Sequence, residues 1–334
     1  MPCATTHMYL AERVLTHWRR RTHFAPFPVE RPELREAFLH GAMAPDMGFV
    51  PGVDRFVSEL AHYVRPAELT RSLFQCARTG REEAFAWGWA SHVLGDVALH
   101  PQVGRAVGER IHGDRHRRMD AAEDLVTHVG MEVGLDLVLM LGGNGGETPP
   151  RRPFFGTSDV RFLERALGRT YNLSWRPGSL LSDHRRAVFL TWLWPRALQL
   201  LGRSGAPEGA PRGAAGRIVS ALTGWARPHT DPVGPARGFL RPLPPPEWLP
   251  TRVLAYGDQI RDEMDLLVER GPESLEDRNL ETGDWAGSGR GHPASDHAAR
   301  KLADRSSQGV GSPQPTVGGS PVRRPGPGLP SPGT

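Results

Sequence analysis

Histidines and carboxylates recur at a spacing of four in two apolar segments of the chain. The segment SHVLGDVALHP carries His92, Asp96 and His100, and the segment EDLVTHVGMEVG carries Asp124, His128 and Glu132. Residues four apart lie on nearly the same face of an α-helix, so each set directs imidazole and carboxylate groups the same way. Burying such groups unpaired is costly. A bound divalent cation would compensate both sets, and the spacing therefore predicts a metal site.

Three residues upstream offer the same ligand chemistry: His7 in THMYLAE, Asp46 in APDMG and His62 in ELAHY. With the two helical sets they give the candidate metal ligands, which are His7, Asp46, His62, His92, Asp96, His100, His128 and Glu132. Imidazole and carboxylate ligands without cysteine suit catalytic zinc better than structural zinc. These ligands are too many for one ion, so we expect two or three zinc ions, with Asp96 as the best-placed bridging carboxylate.

Clustered zinc ions are suited to the hydrolysis of phosphate esters. They hold the phosphoryl oxygens and lower the pKa of a bound water from 15.7 towards about 7. A hydroxide then attacks phosphorus in line, and the ions stabilise the oxyanion that leaves. Asp46 is expected either as a ligand or as the general base. The residues therefore predict a metal-dependent phosphodiesterase.

Helical patterns follow one another along most of the chain, and no convincing alternating pattern of a β-strand occurs. Helices are predicted at residues 6–22, 32–41, 54–65, 68–78, 82–99, 119–141, 158–167, 183–201, 217–226 and 251–270. The fifth of these helices is expected to end at Pro101. The loop GAMAPDMGFVPG between the second and third helices would hold Asp46. The pattern predicts an all-α, multi-helical bundle.

The uneven distribution of glycine and proline divides the chain into three regions. The sequence contains 39 Gly and 32 Pro residues, and many of them lie after residue 200. Residues 1–202 form the predicted helical domain. Residues 203–270 begin with a Gly/Ala/Pro linker and contain the last two predicted helices. Residues 271–334 are polar, rich in Gly, Pro and Ser and poor in large apolar side chains, which predicts a disordered tail.

The composition of the chain indicates which cellular compartment and which binding partners to expect. The basic residues are almost all arginine and the net charge is +4, so we interpret the arginine as a coding bias and not as a nucleic-acid footprint. Cys3 and Cys76 are too few for a disulfide framework. The first residues lack a signal-peptide core, and no stretch approaches the roughly 20 apolar residues of a membrane span. We therefore expect a cytoplasmic protein without a transmembrane segment.

The order of the motifs THMYLAE, APDMG, ELAHY, WASHVLGDVALHP and THVGMEV resembles the zinc-dependent phospholipase C family. That family is all-helical, binds three zinc ions and is related in fold to the single-strand-specific zinc nucleases. The resemblance covers residues 3–140 well, and 150–202 only in helical character. It implies a phospholipid or another phosphodiester as the substrate, with peripheral contact to a membrane.

The resemblance also implies how two of the zinc sites are built. Asp46, His62, His92 and Asp96 carry over to the first site, and His7 carries over to the third site, which shares Asp96. In secreted members an N-terminal tryptophan completes the third site. This chain begins Met-Pro-Cys, so occupation of the third site stays open.

The second zinc site implied by the resemblance takes His128 and Glu132. It also needs a further histidine, which we assign to His100. His112 and His116, in the basic run HGDRHRR, are the alternatives.

Two other functions fit the same residues. A nuclease or a small-molecule phosphodiesterase would use the same ions on the same scaffold. An aromatic stacking pocket with basic flanks would favour nucleic acid, whereas an apolar groove beside the metals would favour lipid. A non-catalytic, zinc-stabilised helical interaction domain would instead close its metal sites with protein ligands and leave no open position for water.

Overall fold

Helices and the turns that join them make up the described part of the chain. The computed structural model describes residues 4–50, 53–144, 149–152, 154–156, 159–174, 177–203, 242–285 and 292–308. Ten α-helices lie in these ranges, which contain no β-strand and only an isolated bridge between Arg278 and Trp285. The predicted all-α fold is confirmed.

The helix boundaries follow most of the predicted ones closely. The α-helices are α1 (Ala4–Arg20), α2 (Pro32–Met43), α3 (Phe56–Tyr63), α4 (Pro66–Cys76), α5 (Gly80–His112), α6 (Leu125–Leu141), α7 (Val160–Tyr171), α8 (Pro177–Arg203), α9 (Trp248–Arg270) and α10 (Pro293–Gln308). Two 3₁₀ helices, Ala44–Phe49 and Pro272–Ser274, follow α2 and α9. The helix predicted at 217–226 lies outside the described residues. None of the described helices combines the length and the apolarity needed to cross a membrane.

Helix α5 spans 33 residues and carries the first set of predicted ligands. It begins with a capping box, in which Thr79 and Glu82 satisfy each other's backbone N–H groups. The predicted end at Pro101 is wrong, because α5 continues beyond it. A proline removes one backbone hydrogen bond but keeps a helical φ, and buried Leu99 and Val103 on either side hold this part of α5 in the core.

Helices α2 and α5 cross at a pair of glycines. A Cβ on Gly41 would overlap the carbonyl oxygen of Phe85, and a Cβ on Gly88 would overlap that of Phe38. Because only glycine permits so close an approach, the two backbones touch here. The crossing brings His92, one turn after Gly88, against the backbone of α2.

Helix α6 begins at Leu125, so the predicted start at Met119 is wrong. Asp124 is its N-cap, and the carboxylate accepts hydrogen bonds from the Thr127 backbone N–H at 3.0 Å and from the Thr127 hydroxyl at 2.8 Å. The loop before α6 therefore ends where a capping residue satisfies one of the free N–H groups of the first turn. Asp124, the first residue of the second helical set, is therefore a capping residue of α6.

Helix α9 shares the core that is formed by α1 and α5. The Trp18 side chain of α1 is fully buried, and its indole N–H donates to the Asp265 carboxylate of α9 at 2.9 Å. Leu249, Val253 and Ile260 of α9 are fully buried as well. The helix predicted at 251–270 is therefore present, and it packs directly on α1 and α5.

Residues 272–285, which we call the C-terminal arm, are folded against α3 and α4. Leu280 is fully buried, and the Asp277 carboxylate accepts the backbone N–H of Ala67 at 2.9 Å. Further on, α10 packs on α3, where Lys301 pairs with Glu59 at 2.7 Å. The predicted disorder is wrong here because a few specific contacts replace the large apolar content that the segment lacks. This correction applies to residues 271–285 and 292–308, whereas 286–291 and 309–334 lie outside the described residues.

Candidate metal centre

Five of the predicted ligands meet between α1, α3, α5 and the 3₁₀ helix that follows α2. We call them the first cluster: His7, Asp46, His62, His92 and Asp96. The three histidines and Asp96 have side chains that are at most 3% exposed. Asp46 is the one member nearer to solvent, with 14% of its side chain exposed. The cluster is therefore buried on all but one side.

Asp96 lies at the centre of the first cluster. Its Oδ1 atom is 3.1 Å from His7 Nε2. Its Oδ2 atom is 3.2 Å from His62 Nε2 and 2.9 Å from His92 Nε2. Asp46 Oδ1 is 3.2 Å from His62 Nε2 on the more exposed side. One carboxylate thus contacts three imidazoles, which is the arrangement that a bridging ligand needs.

Backbone carbonyls orient two of these imidazole rings. His62 Nδ1 lies 2.8 Å from the Ser58 carbonyl oxygen, and His92 Nδ1 lies 2.9 Å from the Ala42 carbonyl oxygen. A carbonyl only accepts, so each Nδ1 carries the proton and each Nε2 of the neutral ring presents a lone pair to the cluster. The two Nε2 atoms are 3.4 Å apart. Lone pairs at this distance repel each other unless a proton or a cation lies between them, so the pair fits a metal site.

The position of His7 is set by the start of α1. The Asp136 carboxylate of α6 accepts the backbone N–H groups of Thr5 and Thr6, at 3.1 and 3.0 Å. This contact caps α1 with a residue from a distant helix and fixes the first turn. The His7 ring then stacks on His92, with ring centroids 3.8 Å apart.

At least two groups of three ligand atoms in the first cluster are compact enough to hold an ion. One group is His7, His92 and Asp96, and another is Asp46, His62 and His92. Within each group all ligand atoms lie within 4.8 Å of one another. Zinc binds nitrogen and oxygen at about 2.0–2.2 Å, so small side-chain adjustments bring either group to bonding distance. The donor set and its spacing fit zinc.

A second cluster lies further along α5 and consists of His100, His128, Glu132 and Glu281, all at most 8% exposed. His128 Nε2 is 3.4 Å from Glu132 Oε1 and 3.3 Å from Glu281 Oε1. His100 Nε2 is 3.5 Å from Glu132 Oε1 and 3.4 Å from Asp96 Oδ1, so Asp96 connects the two clusters. The four side chains thus surround a common space, with neighbouring ligand atoms 3.3–3.5 Å apart.

His100 is the histidine that the structure places beside His128. The alternative His112 lies at the exposed end of α5, where its Nε2 atom is 3.1 Å from Met119 Sδ. The other alternative, His116, is exposed in the following loop. Of the three candidates, His100 alone belongs to the cluster, and all eight predicted ligands lie in one cluster or the other.

Glu281 is the member of the second cluster that the sequence pattern does not reveal. It lies in the segment whose composition predicts disorder. The local signal is modest: the apolar Leu280 stands between Asn279 and Gly283, which are turn-forming residues. Nothing nearby in the sequence indicates that Glu281 faces His100, because that contact joins the arm to a helix in the first third of the chain.

Crowded charges shift the pKa values of two histidines in opposition to burial. Burial lowers the pKa of His62, but the carboxylates of Asp46 and Asp96 outweigh it and raise the pKa to about 9. Burial also lowers the pKa of His100, but Asp96 and Glu281 raise it to about 10. The imidazoles in turn hold the pKa of Asp96 well below its usual range although burial raises it. The carboxylates are therefore ionised and need cations, which are either protonated imidazoles or metal ions.

The sequence of this chain matches the model of a known protein family. The family model described as zinc dependent phospholipase C matches residues 6–172, which is half of the 334-residue chain. The match includes the eight predicted ligands and ends before the C-terminal arm. No curated protein and no solved structure matches the chain. On the family match, and with buried histidine and carboxylate clusters in the matched helices, this chain belongs to the zinc-dependent phospholipase C family.

Proposed function

We propose that this protein is a zinc-dependent phosphodiester hydrolase of the phospholipase C type. The observation that carries the proposal is the first cluster, where Asp96 contacts three imidazole Nε2 atoms beside the partly exposed Asp46. The family match supports a zinc-dependent hydrolase. With a phospholipid as the substrate, the products are a diacylglycerol and a phosphorylated head group.

The chain's own residues would hold the ions and direct the proton. When bound, zinc supplies a water of lowered pKa and stabilises negative charge on the phosphoryl oxygens. His62 and His92 keep their Nδ1–H groups on backbone carbonyls, which leaves Nε2 free to act as the ligand atom. Asp46 is the carboxylate of the first cluster nearest to solvent, and it is suited to accept the proton of the attacking water. Burial raises the pKa of Asp46, but His92 and His62 outweigh it and keep the carboxylate ionised.

An apolar pocket next to Asp46 favours a lipid substrate. The pocket has a volume of about 430 Å³ including its open mouth, and it lies against the 3₁₀ helix that carries Asp46. Its apolar lining includes Ala44, Met47, Val57, Phe155, Leu163 and Leu180. Such a surface can receive an acyl chain, whereas the two carboxylates that also line the pocket, Asp54 and Asp183, would repel a nucleic-acid backbone. A membrane lipid would be reached by peripheral contact.

The activity is tested by a substrate screen on the zinc-loaded protein. We expect phosphatidylcholine vesicles to be cleaved faster than single-stranded DNA or bis(p-nitrophenyl) phosphate, with zinc content measured in parallel by elemental analysis. Preferential cleavage of DNA would contradict the phospholipase C activity and support the nuclease alternative. A protein that holds zinc but cleaves none of these substrates would be the non-catalytic helical domain.

The Asp96→Asn variant tests the central role of that carboxylate. Because Asp96 contacts ligands of both clusters, we expect the variant to lose most of its zinc and at least about 100-fold in kcat/KM, which corresponds to about 2.7 kcal/mol. Asp262→Asn, at an exposed position of α9, is the matched control and should retain zinc and activity. Wild-type zinc content and rate in the Asp96→Asn variant would contradict the proposed centre.

A further inference from the structure

The C-terminal arm lies outside the matched residues 6–172, yet it is fixed to them by hydrogen bonds along its length. At its start, the Arg71 guanidinium donates to the Leu275 carbonyl oxygen at 2.6 Å. In its middle, the Leu280 backbone N–H donates to the carbonyl oxygen of His62, a member of the first cluster, at 3.2 Å. Near its end, Arg118 donates to the Thr282 carbonyl oxygen at 2.7 Å. The arm therefore crosses the matched domain at the metal centre.

A tight turn holds Glu281 in one orientation. The Asn279 side-chain oxygen accepts the backbone N–H groups of Glu281 and Thr282, at 2.9 and 3.1 Å. Gly283 follows with a φ of +69°, a conformation that favours glycine. A Cβ on Gly283 would lie 3.0 Å from the Val97 carbonyl oxygen of α5. That carbonyl is the one which loses its helical hydrogen bond at Pro101, so the turn fits against the irregular part of α5.

The carboxylate of Glu281 lies inside the second cluster and is only 4% exposed. Its Oε1 atom accepts the backbone N–H of Ala121 at 2.9 Å and is 3.3 Å from His128 Nε2. Its Oε2 atom is 3.5 Å from His100 Nδ1. Oε1 of Glu281 therefore faces Nε2 of His128, and Oε2 faces Nδ1 of His100.

Two observations indicate what Glu281 binds. His128 Nε2 is buried and has no hydrogen-bond partner among the described residues, although carboxylate oxygens of Glu132 and Glu281 lie 3.4 and 3.3 Å away. Ligand atoms of tetrahedral zinc, with bonds of about 2.0–2.2 Å, lie roughly 3.3–3.6 Å apart. The spacing of these neighbouring atoms thus agrees with that around a shared cation.

We propose that Glu281 is a ligand of the second zinc ion, together with His100, His128 and Glu132. The inference rests on the zinc centre of the proposed function and extends it to a residue outside the matched domain. Oε1 of Glu281 would bind the ion, while Oε2 accepts the Nδ1–H of His100 and orients that ring. Four protein ligands close a zinc site, so activation of water is left to the first cluster and Asp46.

Zinc binding by the Glu281→Gln variant tests this assignment. The matched control is Glu276→Gln in the same arm, where the Glu276 side chain is 46% exposed and pairs with Arg278. We expect the Glu281→Gln variant to bind one zinc fewer per chain, or to bind that ion at least 10-fold more weakly in chelator competition, with the other zinc unchanged. The control should match the wild type. Wild-type zinc number and affinity in the Glu281→Gln variant would overturn the proposal.

Hydrogen exchange of the wild-type protein is the second measurement, and it does not depend on how a variant folds. Zinc should slow exchange of the Ala121 and Thr282 amides, which border Glu281, compared with the chelated protein. Unchanged exchange at these amides would overturn the assignment. A wild type that holds zinc at this site but cleaves no phosphodiester would contradict the proposed function alone, whereas a wild type that binds no zinc would contradict both.

Discussion

At the scale of single residues, the clusters are an arrangement of charges that the protein must balance. Asp46, Asp96, Glu132 and Glu281 bring four carboxylates into a space with little access to water. Without metal, the balancing charge comes from protonated imidazoles, and this explains why the pKa of His62 is raised to about 9 and that of His100 to about 10. Zinc and these protons are therefore competitors for the same carboxylates.

Proton release on zinc binding follows from this competition. At pH 7.5 both His62 and His100 carry a proton that must leave before Nε2 can bind zinc, so we expect release of about two protons per chain. Titration calorimetry in buffers of different ionisation enthalpy measures the number. The release should fall as the pH rises through about 9 to 10. The same binding heat in every buffer would contradict the raised pKa values.

The stability of the metal-free protein should depend on pH through the same two histidines. Their folded pKa values lie above the unfolded value of about 6.5, so the stabilisation is fully present below that pH. It is lost as the pH rises through about 9 to 10, where the imidazoles become neutral and leave the carboxylates unpaired. The apo protein is thus expected to be less stable at alkaline pH.

At the scale of elements, α5 is the scaffold on which both clusters are built. Gly41 and Gly88 let α2 and α5 touch, and the touching backbones bring the Ala42 carbonyl oxygen to His92 Nδ1 at 2.9 Å. The packing of two helices therefore fixes the orientation of a candidate ligand. A substitution at this crossing should therefore weaken metal binding in the first cluster, although neither glycine is a candidate ligand.

The Gly88→Ala variant should separate α2 from α5 and weaken zinc binding. A Cβ at this position overlaps the Phe38 carbonyl oxygen, and overpacking of this kind typically costs about 1–3 kcal/mol. Urea unfolding and chelator competition measure the two effects. Gly80→Ala is the control, because its Cβ would meet only Leu34 Cδ2 at 3.9 Å, within 4 Å. Equal stability of the two variants would show that the crossing tolerates a methyl group.

Local spacing is enough to predict most of the helices and most of the residues that gather in the two clusters, because the four-residue repeats are properties of single helices. The predicted ends failed where a contact from elsewhere decides the outcome. α5 passes Pro101 because the core holds both sides of it, and α6 starts late because Asp124 caps it. Glu281 was out of reach for the same reason, since its partners His100 and His128 are remote in the sequence.

At the scale of the whole molecule, the two clusters join parts of the chain that are far apart in sequence. His7 lies in the first helix, and Glu281 lies beyond α9 in the C-terminal arm. Asp96 is within 3.1 Å of the former and contacts His100, which faces the latter. Ions bound here would hold both regions to α5 at once.

Zinc should therefore stabilise the molecule as a whole. A ligand at about 1,000 times its Kd contributes about 4 kcal/mol, which for a chain of this size corresponds to a rise in Tm of about 6 °C. Differential scanning calorimetry of the zinc-loaded and the chelated protein measures the shift. The Glu281→Gln variant should show a smaller rise than the wild type. Identical Tm values with and without chelator would mean that the clusters bind no ion tightly.

The arm's hydrogen bond to the His62 carbonyl oxygen has a consequence for biosynthesis. A nascent chain that has left the ribosome as far as residue 172 already contains every member of the first cluster, but it lacks the last carboxylate of the second. Metal loading would then proceed in two stages, the first during translation and the second after the arm has docked. A chain whose synthesis stops before the arm would lack Glu281, so its second cluster would bind zinc incompletely. Full zinc content would therefore require that synthesis has passed the arm.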